Sequence, residues 1–237
     1  KIPQFDRKLA AECYKRAFDK SPELFRIAFM PGWIFAQARY MRKMEIYLMD
    51  MALYPDELHI LHEKMAPVYE TVIAAASDAG ADAICFAEDL GTETTTLFSP
   101  DMWQDYFGSL YKKLFDQAHE GGLSVWMHSC GQNRGIIEHL LNAGVNCFQF
   151  DQPAIYDFAD LSSVLKQYRA ALWSPVDIQK VLPTGDRKLI ESSAEAMFKA
   201  FNGFLICKNY PDLPGIGVKD EWDDWAYNKF VEHSSLN

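Results

Sequence analysis

Basic residues are in short supply in this chain. Its 23 lysines and arginines stand against 33 acids, a formal net charge of -10. Unspecific nucleic-acid binding needs a basic surface, so that class is excluded. Cysteine is scarce, at five residues, an odd number. Cys13 falls in an amphipathic helical stretch, and Cys85 and Cys147 fall in apolar strand runs, where they read as buried thiols. That excludes a disulfide framework and leaves only Cys130 and Cys207 near the ends of strands. No apolar run approaches the roughly 18 residues that span a bilayer, and no secretory leader is visible. The expectation is a soluble, cytoplasmic protein that uses neither nucleic acid nor membrane. There is no internal repeat, low-complexity segment or linker, and no Gly-rich phosphate turn after the first strand. The chain starts on Lys1 instead of Met, which reads as a processed start or as part of a longer gene product.

What is present is an ordinary globular composition, 49% hydrophobic and 24% charged over 237 residues. That length buries a substantial core, and no boundary divides it, so 1–237 reads as one domain. Strands are predicted at about 24–30, 81–87, 123–127, 145–150, 170–173 and 204–207. Pro31-Gly32 ends the first. Helices are predicted at about 5–20, with a stripe of Leu9, Cys13 and Ala17, and over Trp33–Tyr54, Pro55–Ser77 and Ser99–His119. Further helices cover Ile136–Leu141, Phe158–Tyr168, 187–201 and Asp220–Val231. Strand and helix in alternation predict a parallel sheet with right-handed crossovers. Each strand ends in polar residues, the pattern of an α/β barrel that builds its site at the strand ends. A complete barrel has eight strands, so two βα units are expected to be missing from the N-terminal side. A doubly wound sheet is the alternative.

The stretch Leu123-Ser-Val-Trp-Met-His-Ser-Cys-Gly131 organises the candidate chemistry. On an extended backbone His128 and Cys130, two apart, point the same way. A strand ending in His-x-Cys suits a soft metal or a reacting group. Equally, His128 can bond a loop and Cys130 can pack as a small apolar residue. Glu88 and Asp89 are adjacent acids at another strand end, and alternation turns only one of them to the mouth. Glu88 is taken as that one, a general acid/base or metal ligand. Asp151, at the end of the next strand, is a further ligand, a group orienting His128, or a loop cap. Asp177 reads as a helix start, and His59, His62, His119 and His139 as surface residues on helices. The run Asp220-Glu-Trp-Asp-Asp reads as a helix start with a solvated face.

Four runs carry a resemblance: Phe86-Ala-Glu-Asp-Leu-Gly-Thr-Glu, Leu97-Phe-Ser-Pro-Asp-Met-Trp, Ala118-His-Glu-Gly-Gly-Leu and His128-Ser-Cys-Gly. In order and spacing they resemble the uroporphyrinogen decarboxylase superfamily, in its branch of decarboxylase-like proteins and cobamide-dependent methyltransferases. The resemblance runs from Gly32 to Glu232. It implies a (β/α)8 barrel, here without the family's N-terminal part. It also implies zinc held by His128, Cys130 and a later cysteine. The family's last-strand cysteine would align close to Tyr210, and Cys207 lies three residues earlier. The implied reaction is methyl transfer from a methyl-corrinoid, carried by a partner protein, to a thiol held as thiolate. Small-molecule substrates and a homodimer are implied too. One alternative is tetrapyrrole decarboxylation, metal-free and needing arginines at the mouth, for which Arg39 and Arg42 are the candidates. The other is a non-catalytic module that binds a corrinoid or partner protein.

Overall fold

Alternating strands and helices set the architecture of the chain, described here from a computed structural model covering residues 2–30 and 32–234. Lys1, Pro31 and residues 235–237 lie outside the described residues, and with them the strand break predicted at Pro31. The strands are β1 (Ile27–Met30), β2 (Ala83–Ala87), β3 (Ser124–His128), β4 (Cys147–Gln149), β5 (Ala171–Ser174) and β6 (Leu205–Cys207). Their order follows the chain, and the pairings are parallel. A doubly wound sheet reverses its strand order part-way, whereas a steady progression is that of a barrel wall. The fold is TIM-barrel-like, with six strands among the described residues. No described helix is long and apolar enough to cross a membrane. The chain forms two compact units. The first holds 1–89, 98–128 and 139–146, and the second holds 90–97, 129–138 and 147–237.

In the first unit, β2 (Ala-Ile-Cys-Phe-Ala) is buried along nearly its whole length, as a parallel strand covered on both faces must be. Trp33 packs 4.5 Å from both Tyr69 and Phe86, centroid to centroid, and Tyr111 and Phe115 close the cluster. α1 (Arg7–Phe18) buries none of its residues, so the predicted stripe is not a core face; Leu9 is 58% exposed. Trp33–Tyr54, predicted as one helix, is two: α2 (Ile34–Arg42) and α3 (Met44–Leu53), parted by Lys43 at φ 62°. Tertiary contacts outweigh the helical spacing here. The break lets Arg42 Nε reach Asp50 at 2.7 Å and lets the Tyr47 hydroxyl meet His62 Nε2 at 2.7 Å. α4 (Pro55–Asp78) starts on proline with Asp56 and Glu57 in its first turn, as expected. The stretch after Ser99 is also interrupted. α5 (Pro100–Trp103) and α6 (Ser109–Glu120) flank a π-helical turn at Gln104–Gly108.

His62 corrects its predicted surface position. It is 1% exposed because Tyr47 supplies the polar partner that burial demands. Burial depresses its pKa to about 4. The folded value lies below the unfolded one, near 6.5. The stability contribution is therefore full above that value and is lost as pH falls towards 4. Urea unfolding should show wild type losing up to about 3 kcal/mol relative to His62→Gln between pH 7 and pH 4. An unchanged difference would contradict this burial.

In the second unit, α8 (Phe158–Tyr168) and α9 (Arg187–Ala200) each start on an aspartate cap, Asp157 and Asp186. With α10 (Asp220–Ser234), α9 builds a core of Leu182, Ile190, Met197 and Phe230. Asp223 departs from the predicted solvated face: it is buried and accepts from Asn209 Nδ2 at 2.5 Å. Asp177 starts no helix. It is buried and accepts backbone N–H groups of Ala154, Gln179 and Lys180 at 3.0, 2.9 and 2.6 Å. Cys85 and Cys147, each in its own unit, are buried as expected.

Candidate metal centre at the end of the third strand

Parallel pairing of β2 with β3 sets Ala87 opposite His128. Glu88 N–H then donates to the His128 carbonyl at 2.9 Å. Asp89, one residue on, brings its Oδ1 to 3.6 Å from His128 Nε2. Cys130 follows His128 by two residues. The carboxylate, imidazole and thiol donor atoms of Asp89, His128 and Cys130 all lie within 4.8 Å of one another. All three side chains are partly exposed, so an ion or substrate can reach them.

The loop that carries Cys130 is fixed by its neighbours. Gly131 sits at φ +80°, and a Cβ there would lie 2.4 Å from the Gly91 carbonyl carbon and oxygen. That close approach lets Gln132 N–H donate to the Thr92 carbonyl at 2.7 Å, and lets Ser129 Oγ accept from Leu90 N–H at 3.2 Å. Tyr156 donates to the Gly131 carbonyl at 2.7 Å, and Asn133 Nδ2 donates to the same carbonyl at 2.9 Å. Gln152 Oε1 accepts from Gly131 N–H at 3.0 Å. A thiol on so tied a loop keeps its place without a ligand present.

The other predicted residues are placed as follows. Glu88 is 1% exposed and turned away from Asp89, as strand alternation requires. Its carboxylate accepts from Ala36 N–H at 3.0 Å and from the Tyr111 hydroxyl, and burial raises its pKa to about 7. Asp151 accepts from Gln149 Nε2 at 2.7 Å and Lys208 Nζ at 3.0 Å. Cys207 ends β6, where burial pushes its thiol up to about 11. It does not belong to the group of three. Lys208 went unnoticed in the sequence. Its side chain is 16% exposed and packs over Trp173 at 5.2 Å and Tyr210 at 5.9 Å. A lysine directly after a strand, followed two residues later by an aromatic, was the available signal.

Does the group suit zinc? A catalytic zinc takes three protein ligands of N, S or O type and keeps a position open; bond lengths of about 2.0–2.3 Å put donors about 3.3–3.8 Å apart. The three donors here are of those types and lie within 4.8 Å of one another, with His128 Nε2 and Asp89 Oδ1 at 3.6 Å. The residues fit.

Comparison with known proteins agrees with this architecture. The family model Uroporphyrinogen decarboxylase (URO-D) matches residues 10–203. The chain superposes on a methyltransferase from Methanosarcina mazei with a TM-score of 0.75 and 18% identity. That match covers 95% of this chain and 64% of the other, so the chain spans a little under two thirds of that protein's length. An endo-beta-1,4-xylanase of glycoside hydrolase family 10 from Gloeophyllum trabeum aligns with a TM-score of 0.52 and 10% identity, covering 87% of this chain and 68% of its own. Likenesses at these identities show the fold. No curated protein matches the sequence. The family match spans most of the chain, and on it this protein belongs to the uroporphyrinogen decarboxylase family.

Proposed function

We propose that this chain carries out zinc-dependent methyl transfer from a methyl-corrinoid, held by a partner protein, to a thiol-type acceptor. The observation that carries the reading is the Asp89–His128–Cys130 group, three donors of zinc-ligand type gathered at a strand end. The URO-D family match and the methyltransferase of like fold support it. Zinc bound there supplies Lewis acidity that keeps an acceptor thiol as thiolate near neutral pH. His128 offers Nε2 from the rigid end of β3, and Cys130 offers its sulfur from the tied loop. Asp89 adds the negative charge that favours a cation. A methyl-corrinoid would supply the methyl group, and Asp89, His128 and Cys130 would hold the zinc that keeps the acceptor thiol ready to receive it.

Decarboxylation of a tetrapyrrole fits less well. It needs arginines free to hold carboxylates, yet Arg42 is paired with Asp50 and Arg39 packs over Phe35 and Tyr40. The test is metal analysis of the purified chain together with methyl-corrinoid turnover. One tightly held zinc per chain is expected, with binding weakened at least ~100-fold in His128→Ala and turnover lost with it. Full turnover by zinc-free protein would sink the reading.

A further inference from the structure

We propose that two copies of this chain pair through their α3 helices, laid antiparallel about a two-fold axis. The helix reads Met-Glu-Ile-Tyr-Leu-Met-Asp-Met-Ala-Leu, with Glu45 and Asp50 its only charged residues. A helix that is apolar all round belongs in an interior. Yet only Tyr47, Asp50 and Met51 are buried. Asp50 is paired with Arg42, so its charge does not serve the open side. That side carries Ile46, Met49 and Leu53, spaced i, i+3 and i+7, and they are 41%, 59% and 60% exposed. Tyr54 follows at the end of the helix and is exposed as well. Single exposed apolar residues need no partner. A stripe of them at the spacing of one helix face is the pattern of a packing seam.

The charges at the two ends of α3 select the partner. Lys43 precedes the helix, and Asp56 and Glu57 lie just beyond it in the first turn of α4. All three are exposed, and none has an ion-pair partner among the described residues. An antiparallel pair that sets Ile46 against Leu53 of the copy brings the Lys43 end of each helix to the Asp56–Glu57 end of the other. Opposite charges then meet twice, once on each side of the axis, as an isologous contact requires. A parallel pair would set Lys43 against Lys43. The face is therefore complementary to itself, which points to a second copy as its occupant. It is also preformed. Tyr47 meets His62 and the Met51 carbonyl accepts from Tyr106, so the inner side of α3 is anchored while the outer side stays open. A helix of 10 residues is short. The pair and its charged rim bury on the order of 1,000 Å² in total, the low end for a specific interface, so the dimer forms with micromolar affinity.

The test is sedimentation equilibrium of the full chain across the micromolar range. The expected result is a reversible rise from the 27.1 kDa monomer to twice that mass. Met49→Glu should weaken association at least ~10-fold with an unchanged circular dichroism spectrum, since its side chain faces solvent in the monomer. Ile46→Lys is the second variant in case Met49→Glu folds poorly. Lys43→Glu alone should weaken the dimer too. Combining it with Asp56→Lys and Glu57→Lys should restore association, because the same ends meet with their signs exchanged. A chain that stays monomeric, or a dimer indifferent to Met49→Glu and Ile46→Lys, overturns the inference. So does a dimer that the charge exchange fails to restore. None of these outcomes depends on whether the β3 group holds zinc.

Discussion

Glu88→Ala should cost about 4 kcal/mol of folding stability, while Glu88→Gln should stay within about 1 kcal/mol of the parent. The carboxyl group is 1% exposed and serves two buried donors, Ala36 N–H at the start of α2 and the Tyr111 hydroxyl. Alanine removes the acceptor from both. Each buried donor left unpaired costs about 1–3 kcal/mol, and the lost side chain leaves a void beside Ala36 and Tyr111. Glutamine keeps the volume and an acceptor oxygen. It also carries no charge to bury, at a position where burial already raises the acid's pKa to about 7. Equal losses in urea unfolding would mean that Glu88 acts through its charge and not through its hydrogen bonds. A loss of about 4 kcal/mol is a large share of the roughly 5–15 kcal/mol that holds a typical domain together.

Gly131→Ala should be costlier still, at about 4–5 kcal/mol, and should weaken zinc binding at least ~10-fold. The residue has φ +80°, a conformation unfavourable to any L side chain. Its added methyl would also meet the Gly91 carbonyl at 2.4 Å and the Thr92 oxygen at 2.6 Å. Those neighbours are backbone and cannot swing aside, so the Gly91–Thr92 turn and the loop that carries Cys130 must move apart. Gly122→Ala is the matched control. It has φ +78° and nothing within 4 Å of a Cβ, so it should cost only about 1–2 kcal/mol and leave zinc binding unchanged. If both variants lose the same stability and both keep zinc, the close approach at Gly131 does not position the site.

The sequence made the strand ends legible because each short apolar run stops on polar residues, and His128 with Cys130 is a pattern that strand periodicity can read. It could not say which of Glu88 and Asp89 meets His128. Alternation requires only that they differ, and the β2–β3 register, a tertiary fact, brings Asp89 across. Lys43 hid the break between α2 and α3, because a lysine gives no warning of a positive φ. His62 looked like a helix-surface residue because its buried partner, Tyr47, is 15 positions away. The π-helical turn left no mark in the spacing of apolar residues around Trp103 and Phe107. Cys207 carried the right chemistry at the right strand end, but burial holds its thiol protonated at neutral pH.

X-ray absorption at the zinc edge, on chain loaded with one equivalent of zinc, tests the central assignment most directly. The account predicts one sulfur neighbour at about 2.3 Å with nitrogen and oxygen at about 2.0–2.2 Å, the sulfur disappearing in Cys130→Ser. A zinc shell of nitrogen and oxygen alone, unchanged in Cys130→Ser, would contradict it.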